Sequence, residues 1–203
     1  MSRISTVVLM MSGRSQKLTL KPLLKRNGEW LLRRIFHTMT TLSDDLIIVG
    51  NEESAYARLP ARVVPDVHPD SGPLGSIDAG LQAIRYERGL FVACDMPLLN
   101  LELLRYMILL AADFDAVIPR LAGNVEPLHA IYSKSCLPAI AKALERGERR
   151  IVSFFPEVRI RYVEQDEVDL FDPQHLSFFN INTPEDLDIA RQALRNEARR
   201  KGT

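Results

Sequence analysis

This sequence of 203 residues has few cysteines, no long hydrophobic run and no excess of charge of either sign. Its two cysteines, Cys94 and Cys136, lie far apart, which argues against a disulfide framework and predicts reduced, buried thiols. No apolar run is long enough to cross a bilayer, and the segment from Met1 to Thr6 lacks the apolar core of a signal peptide. We therefore expect a cytoplasmic protein that does not contact a membrane.

The charges of the chain balance, with 26 Lys and Arg residues against 26 Asp and Glu residues. A formal net charge of zero gives no electrostatic reason to expect nucleic acid as a partner. Apolar residues make up 46% of the chain, which is ample for a sizeable core. Because repeats, low-complexity segments and linkers are absent from the sequence, residues 1–203 are predicted to form a single domain with a frayed end.

Short apolar runs alternate with amphipathic segments from residue 6 to residue 119. This alternation predicts right-handed crossovers and a mostly parallel sheet between two layers of helices, in other words a three-layer α/β/α fold. After Pro119 the order changes, and Leu128 to Tyr132 is predicted to return as an antiparallel strand. Strands are expected at 6–10, 45–49, 61–65, 90–94, 116–119, 128–132, 158–163 and 178–181, and helices at 30–39, 52–59, 77–86, 101–112, 137–146 and 184–195.

The fourth predicted strand places a carboxylate at a position typical of ligand sites. Leu90 to Cys94 is an uninterrupted apolar run between Gly89 and Pro97, which fits a strand that is buried on both faces. Asp95 follows directly at its carboxyl end. In open α/β sheets, ligands bind in the crevice outside the carboxyl ends of the strands. Asp95 is therefore predicted to meet a ligand or a metal ion.

Three other predicted strand ends carry polar or unusual residues, namely Met10 to Gly13, Asn51 and Asp66. In a parallel sheet they would lie at the same edge as Asp95, and this shared position favours a functional site. Each has a simpler explanation as well, because Asn51 could stabilise the turn after Gly50 and Asp66 could cap a turn or a helix.

Two further features are compatible with phosphate binding. Gly72-Pro-Leu-Gly-Ser76 fits either a tight turn or a helix start whose backbone amides approach an anion. Lys21 follows the loop after the first strand, where a lysine could reach a phosphate or simply be solvated. A serine nucleophile is not indicated, because the sequence contains no Gly-x-Ser-x-Gly elbow. The histidines show no spacing typical of a metal site or a triad: His37, His68, His129 and His175.

Five segments occur in a distinctive order: Asp66 followed by Gly72-Pro-Leu-Gly75, Cys94-Asp-Met-Pro97, Glu126-Pro-Leu-His-Ala-Ile-Tyr132, Gly147-Glu-Arg-Arg150 and Phe179-Asn-Ile-Asn-Thr-Pro-Glu-Asp-Leu187. Together they resemble the molybdenum cofactor guanylyltransferase family, whose members have a Rossmann-like nucleotidyltransferase fold. The resemblance spans nearly the whole chain. It implies transfer of GMP from GTP to the terminal phosphate of molybdopterin, with Mg²⁺ as cofactor and pyrophosphate as the second product. Other cofactor-assembly proteins and molybdoenzymes would be its protein partners.

The resemblance also implies roles for individual residues. Asp95 would be the magnesium ligand, and Asp95 and Lys21 would be the catalytic residues. The nucleotide would contact Leu9, Met10, Met11, Ser12, Gly13, Lys21, Asn51, Asp66 and Asp95. The pterin would contact Asn180, Asn182, Arg149 and Arg150. These roles agree with the chemistry, because phosphoryl transfer depends on positioning and charge neutralisation more than on covalent catalysis.

The first loop departs from the family pattern. Where the family has Leu-Ala-Gly-Gly and later an Asp-Lys pair, this chain has Leu9-Met-Met-Ser12 and Leu20-Lys21. Side chains therefore replace two glycines where the backbone should approach a phosphate. For this reason two alternatives stay open. One is a cytidylyltransferase or another nucleotidyltransferase for a related phosphorylated acceptor, and the other is a non-catalytic homologue that acts in cofactor assembly.

Overall fold

The computed structural model describes residues 3–9, 20–51, 56, 59–68 and 71–201. Its strands form one mixed sheet. They are β1 (Ser5–Leu9), β2 (Leu46–Val49), β3 (Arg62–Val64), β4 (Arg88–Ala93), β5 (Ala116–Leu121), β6 (Asn124–Val125), β7 (His129–Ser133) and β8 (Ile160–Glu164). The helices are α1 (Leu20–Met39), α2 (Gly72–Ala83), α3 (Leu101–Leu110), α4 (Leu137–Glu145), α5 (Gln165–Asp169) and α6 (Pro184–Lys201).

The order of the strands confirms a mostly parallel sheet with a late antiparallel strand. From one edge the order is β3, β2, β1, β4, β7, β5 and β6, and β8 pairs with β5. Neighbours from β3 to β4 are parallel, and so are β5 and β8. Strand β7 runs antiparallel to both β4 and β5. The carboxyl ends of β1 to β4 therefore lie at one edge of the sheet, as the sequence predicts.

Helices cover both faces of the sheet, and the alternation of side chains in β4 shows why. Leu90 and Val92 point to one face and pack with apolar residues of α1 and α3. Phe91 points to the opposite face and packs with residues of α2 and α4. Each face of the strand is thus buried under a helical layer, which explains its unbroken apolar sequence. Among the residues described, none of the helices combines the length and apolar character that crossing a membrane requires.

The predicted strand at 178–181 is wrong. Leu176 to Phe178 forms a short 3₁₀ turn, because the carboxylate of Asp172 accepts hydrogen bonds from the amides of Leu176 and Ser177 at 3.1 and 2.8 Å. Beyond this turn, the amide of Ile181 donates to the carbonyl oxygen of Asp95 at 2.9 Å. The segment therefore reaches the end of β4 through a hydrogen bond and not through a strand ladder.

Several predicted helix limits also differ from the structure. Helix α1 begins at Leu20, before the predicted start at Trp30, and α2 begins at Gly72, before the predicted start at Ile77. The last helix continues past residue 195 to Lys201. Its predicted N-cap is confirmed, since the hydroxyl of Thr183 accepts a hydrogen bond from the amide of Asp186 at 3.2 Å. The helix predicted at 52–59 lies largely outside the described residues.

Candidate active site

A cavity of about 510 Å³ opens where β4 ends. Its wall is formed by the residues after β4, the turn between β6 and β7, the start of the 3₁₀ segment Ile151–Glu157 and the segment before α6. The polar residues that line it are Asp95, Asn124, Glu126, Arg150, Asn180 and Asn182. Because several separate segments converge here, the cavity exists only in the folded chain.

Asp95 lies at the inner border of this cavity. It is only 5% exposed, and within the described part of the chain its Oδ1 atom has no hydrogen-bond partner. Burial raises the pKa of its carboxyl group. A buried carboxylate oxygen without a partner is unfavourable unless another group satisfies it, so this atom is a candidate position for a bound ligand or cation.

Backbone hydrogen bonds hold Asp95 between two neighbouring strands. On one side, the amide of Cys94 donates to the carbonyl oxygen of Leu9, the last residue of β1, at 3.2 Å. On the other side, the amide of Ala93 donates to the carbonyl oxygen of Leu128 at 3.0 Å. The loop of Met10, Met11, Ser12 and Gly13 follows Leu9 but lies outside the described residues. Lys21, the other predicted catalytic residue, falls in the first turn of α1.

Asn51 and Asp66 are joined to each other at the ends of β2 and β3. The side-chain oxygen of Asn51 accepts a hydrogen bond from the amide of Asp66 at 3.0 Å. The carboxylate of Asp66 accepts from the amide of His68 at 3.0 Å and from the hydroxyl of Ser76 at 2.7 Å. Both residues therefore stabilise the connection from the sheet to α2, and their contact with a nucleotide stays a prediction.

The glycine-containing motif at the start of α2 touches a second motif that lies far away in the sequence. Gly72 has a φ angle of +60°, and a Cβ atom added to it would lie 3.2 Å from the carbonyl oxygen of Arg149. The amide of Leu74 donates to that same oxygen at 3.4 Å. A Cβ atom on Gly75 would lie 2.8 Å from the carbonyl oxygen of His68. The glycines thus permit close contacts between backbones, and one amide of the helix start already has a partner.

Three of the four predicted pterin-binding residues line the cavity, namely Arg150, Asn180 and Asn182. Arg149 is exposed and does not appear on the cavity wall, although its carbonyl oxygen contacts the start of α2. The hydrogen bond between Ile181 and Asp95 explains how both asparagines reach the cavity, since Ile181 lies between them and is fully buried.

Glu126 also lines the cavity, although the sequence assigned it no role. Burial raises the pKa of its carboxyl group, and its side chain has no hydrogen bond or ion pair to any described residue. The only signal for it in the sequence was its place in the segment Glu126–Tyr132. His129, from the same segment, is fully buried against the ring of Phe178 and outside the cavity wall, and burial lowers its pKa to about 4.

The described residues contain no cluster of three or more His, Cys, Asp and Glu side chains suited to a metal ion. A divalent cation at this site would therefore depend on Asp95 together with oxygen atoms of a bound substrate. Such a donor set fits Mg²⁺, which commonly takes one or two carboxylates and completes its shell with phosphate oxygens and water.

The two cysteines are both buried and free of disulfides, which confirms the expectation for them.

Comparison with known proteins decides the family. Residues 7–163 match the family model described as "MobA-like NTP transferase domain". The chain belongs to this family. As a member of the MobA-like NTP transferases it is a nucleotidyltransferase, and its α/β/α sheet is the Rossmann-like nucleotidyltransferase fold.

Two curated relatives of this MobA-like chain are named as molybdenum cofactor guanylyltransferases. This chain is 36% identical over 193 residues to the "Probable molybdenum cofactor guanylyltransferase" of Pelotomaculum thermopropionicum, and the match covers 95% of this chain and 94% of the relative. It is 32% identical over 193 residues to the "Molybdenum cofactor guanylyltransferase" of Syntrophotalea carbinolica, covering 94% and 92% of the two chains.

Solved structures agree with this assignment. The crystal structure of molybdopterin-guanine dinucleotide biosynthesis protein A from Archaeoglobus fulgidus superposes with a TM-score of 0.74 at 25% identity, covering 94% of this chain and 99% of that one. The 2-C-methyl-D-erythritol 4-phosphate cytidylyltransferase of Thermus thermophilus superposes with a TM-score of 0.66 at 14% identity, covering 95% and 99% of the two chains. At that identity the second structure shows a shared fold alone.

Proposed function

We propose that this protein transfers GMP from GTP to the terminal phosphate of molybdopterin, which yields the guanine dinucleotide form of the cofactor and pyrophosphate. The observation that supports it most is the position of Asp95 between two sets of residues. The ends of β1, β2 and β3 lie on one side and carry the predicted nucleotide contacts. The cavity with Arg150, Asn180 and Asn182 lies on the other side, towards β7 and β6. The names of the relatives supply the two substrates.

The reaction needs few protein groups. A terminal phosphate oxygen of molybdopterin attacks the α-phosphorus of GTP, a new P–O–P bond forms, and the bond to the β-phosphate breaks to release pyrophosphate. A phosphate monoester is already largely a dianion at neutral pH, so the attack requires no strong general base. Arg150 is exposed in the cavity and has no ion-pair partner among the described residues, so its guanidinium is available to hold the acceptor phosphate.

Asp95 would hold a magnesium ion together with oxygens of the triphosphate, and Lys21 would add positive charge on the nucleotide side. The partnerless Oδ1 of Asp95 supports this assignment, because a cation would satisfy it. When bound, Mg²⁺ neutralises charge on the triphosphate and on the departing pyrophosphate.

The reaction would take place in the cytoplasm, and other cofactor-assembly proteins and molybdoenzymes would receive the product.

Calorimetric titration with GTP, CTP and ATP in magnesium buffer tests the nucleotide, and release of pyrophosphate after addition of molybdopterin tests the transfer. We expect GTP to bind most tightly and pyrophosphate to appear only with the acceptor. A preference for CTP would instead identify a cytidylyltransferase. Failure to bind any triphosphate would favour a non-catalytic homologue, in line with the side chains of Met10, Met11 and Ser12 in the first loop.

A further inference from the structure

The carboxylate of Glu126 lies in the wall of the cavity and accepts no hydrogen bond from any described residue. It is partly buried, and it forms no hydrogen bond or ion pair with any residue that the structure describes. Arg150 lines the same cavity and forms no ion pair with Glu126. An anion and a cation that share a cavity and leave each other unpaired are both available to a ligand, each for a different part of it.

The backbone around Glu126 is held firmly in place. The amide of Glu126 donates to the carbonyl oxygen of Pro119 at 2.9 Å, and its own carbonyl oxygen accepts from the amide of His129 at 3.1 Å. The next residue, Pro127, accepts from the buried hydroxyl of Tyr132 at 2.8 Å. These bonds tie the turn to β5 and β7, so the carboxylate is attached to a rigid frame rather than to a loose loop.

We propose that Glu126 recognises the pterin ring of the acceptor, with its two carboxylate oxygens accepting hydrogen bonds from the ring N3–H and the 2-amino group. This inference rests on the proposed function. A pterin presents these two N–H donors side by side on one edge, and an ionised carboxylate is the side chain that can accept both at once. Binding would also satisfy an acceptor that is costly to leave partly desolvated.

Guanine offers a similar pair of donors, but the topology of the sheet favours the pterin as the partner of Glu126, because the predicted nucleotide contacts lie at the ends of β1, β2 and β3. Glu126 follows β6 and precedes β7, on the far side of Asp95 from the ends of β1, β2 and β3. Asn180, Asn182 and Arg150 share its cavity. A phosphate held by Arg150 and a ring edge held by Glu126 would be two ends of one acceptor.

A pair of ligands that differ at one ring position tests this contact without GTP. Purified protein would be titrated with 6-hydroxymethylpterin monophosphate and with its lumazine counterpart, which has an oxygen in place of the 2-amino group. We expect the unchanged protein to bind the pterin about 10- to 100-fold more tightly, because the 2-oxygen of lumazine would face a carboxylate.

The variant Glu126→Gln should lose or reverse this preference. Its amide can still accept from the N3–H, but its NH₂ group would oppose the 2-amino group of the pterin and donate to the oxygen of the lumazine. Glu102→Gln is a matched control, because Glu102 is an exposed residue of α3 that pairs with Arg105 and should not change the preference.

Titration of the same variants with magnesium GTP separates the two proposals. Unchanged GTP binding together with a lost pterin preference in Glu126→Gln supports the inference. If the unchanged protein binds neither ligand, binds both equally, or keeps its preference after Glu126→Gln, the inference is overturned. GTP binding and pyrophosphate release would then still stand on their own as evidence for the transferase reaction. If the pterin preference is found but GTP does not bind, the proposed guanylyl transfer fails instead.

Discussion

Asp95→Asn should raise stability and abolish activity at the same time. Asp95 is 5% exposed, and its Oδ1 has no hydrogen-bond partner among the described residues. Leaving a buried polar group unsatisfied costs about 1–3 kcal/mol, and more when the group is charged. Asparagine has nearly the same shape and still places a polar atom there, but it removes the charge. The free energy of unfolding of the ligand-free protein should therefore rise by about 1 kcal/mol at pH 7, which is the part of the cost that is due to the charge.

Asp45→Asn is the matched control and should have the opposite effect on stability. Asp45 is 1% exposed and lies before β2, at the other edge of the sheet. Burial pushes the pKa of Asp45 up, but hydrogen bonds from Ser5 at 2.6 Å, Arg62 at 2.7 Å and the amide of Arg85 at 2.8 Å outweigh it, and the pKa falls. Its loss should lower the free energy of unfolding by about 1–3 kcal/mol and leave GTP binding unchanged.

Differential scanning calorimetry, with and without magnesium GTP, measures both effects. In a chain of this size each kcal/mol shifts Tm by about 2–4 °C, so the two variants should shift in opposite directions from the unchanged protein. Magnesium GTP should raise the Tm of the unchanged protein and of Asp45→Asn but not that of Asp95→Asn. The reasoning is refuted if Asp95→Asn lowers Tm, or if it still releases pyrophosphate at the original rate.

Three further predictions concern backbone strain and pH. Gly72→Ala places a methyl group 3.2 Å from a backbone carbonyl oxygen at a φ of +60°, so urea unfolding should show a larger loss than for Gly147→Ala, where φ is +76° but no atom lies within 4 Å. Burial acts to raise the pKa of Glu167, but the hydrogen bonds of its carboxylate, first among them those from Arg161, lower it from 4.5 to about 2. Glu167→Gln should therefore lower the free energy of unfolding by about 1–2 kcal/mol at pH 7. Urea unfolding should show that this difference vanishes as the pH falls from 4.5 towards 2. A difference that stays constant with pH would contradict the ion pair. Burial lowers the pKa of His129 from 6.5 to about 4, so the unchanged protein should lose up to about 3 kcal/mol of stability as the pH falls from 6.5 to 4. The variant His129→Leu should not lose this stability between pH 6.5 and pH 4. If its free energy of unfolding changes with pH in the same way as that of the original protein, the prediction is wrong.

The apolar pattern alone predicted the three-layer architecture and the position of Asp95. A strand buried on both faces must be apolar throughout, and Leu90 to Cys94 shows this directly. A carboxylate that follows such a run marks the point where the apolar strand ends, so the place of Asp95 at the strand end could also be predicted from adjacent residues. The N-cap Thr183 was predictable for the same reason, since capping depends on neighbours within one turn.

Contacts between distant segments were decided by the tertiary structure. The amide of Ile181 donates to the carbonyl oxygen of Asp95, and this single hydrogen bond holds the segment at the end of β4 in place of the strand predicted at 178–181. The start of α2 at Gly72 meets the carbonyl oxygen of Arg149, which no local pattern could reveal.

The role inferred for Glu126 also depends on the folded chain. Its carboxylate has no partner among the described residues and shares a cavity with Arg150 and Asn180, and both facts depend on segments separated by many residues. Local sequence thus determined the elements and the acid at the strand end, because those depend on periodicity and on neighbouring residues. Only the packed fold decided which loops share the cavity, because that depends on the order of the strands and on hydrogen bonds across long separations.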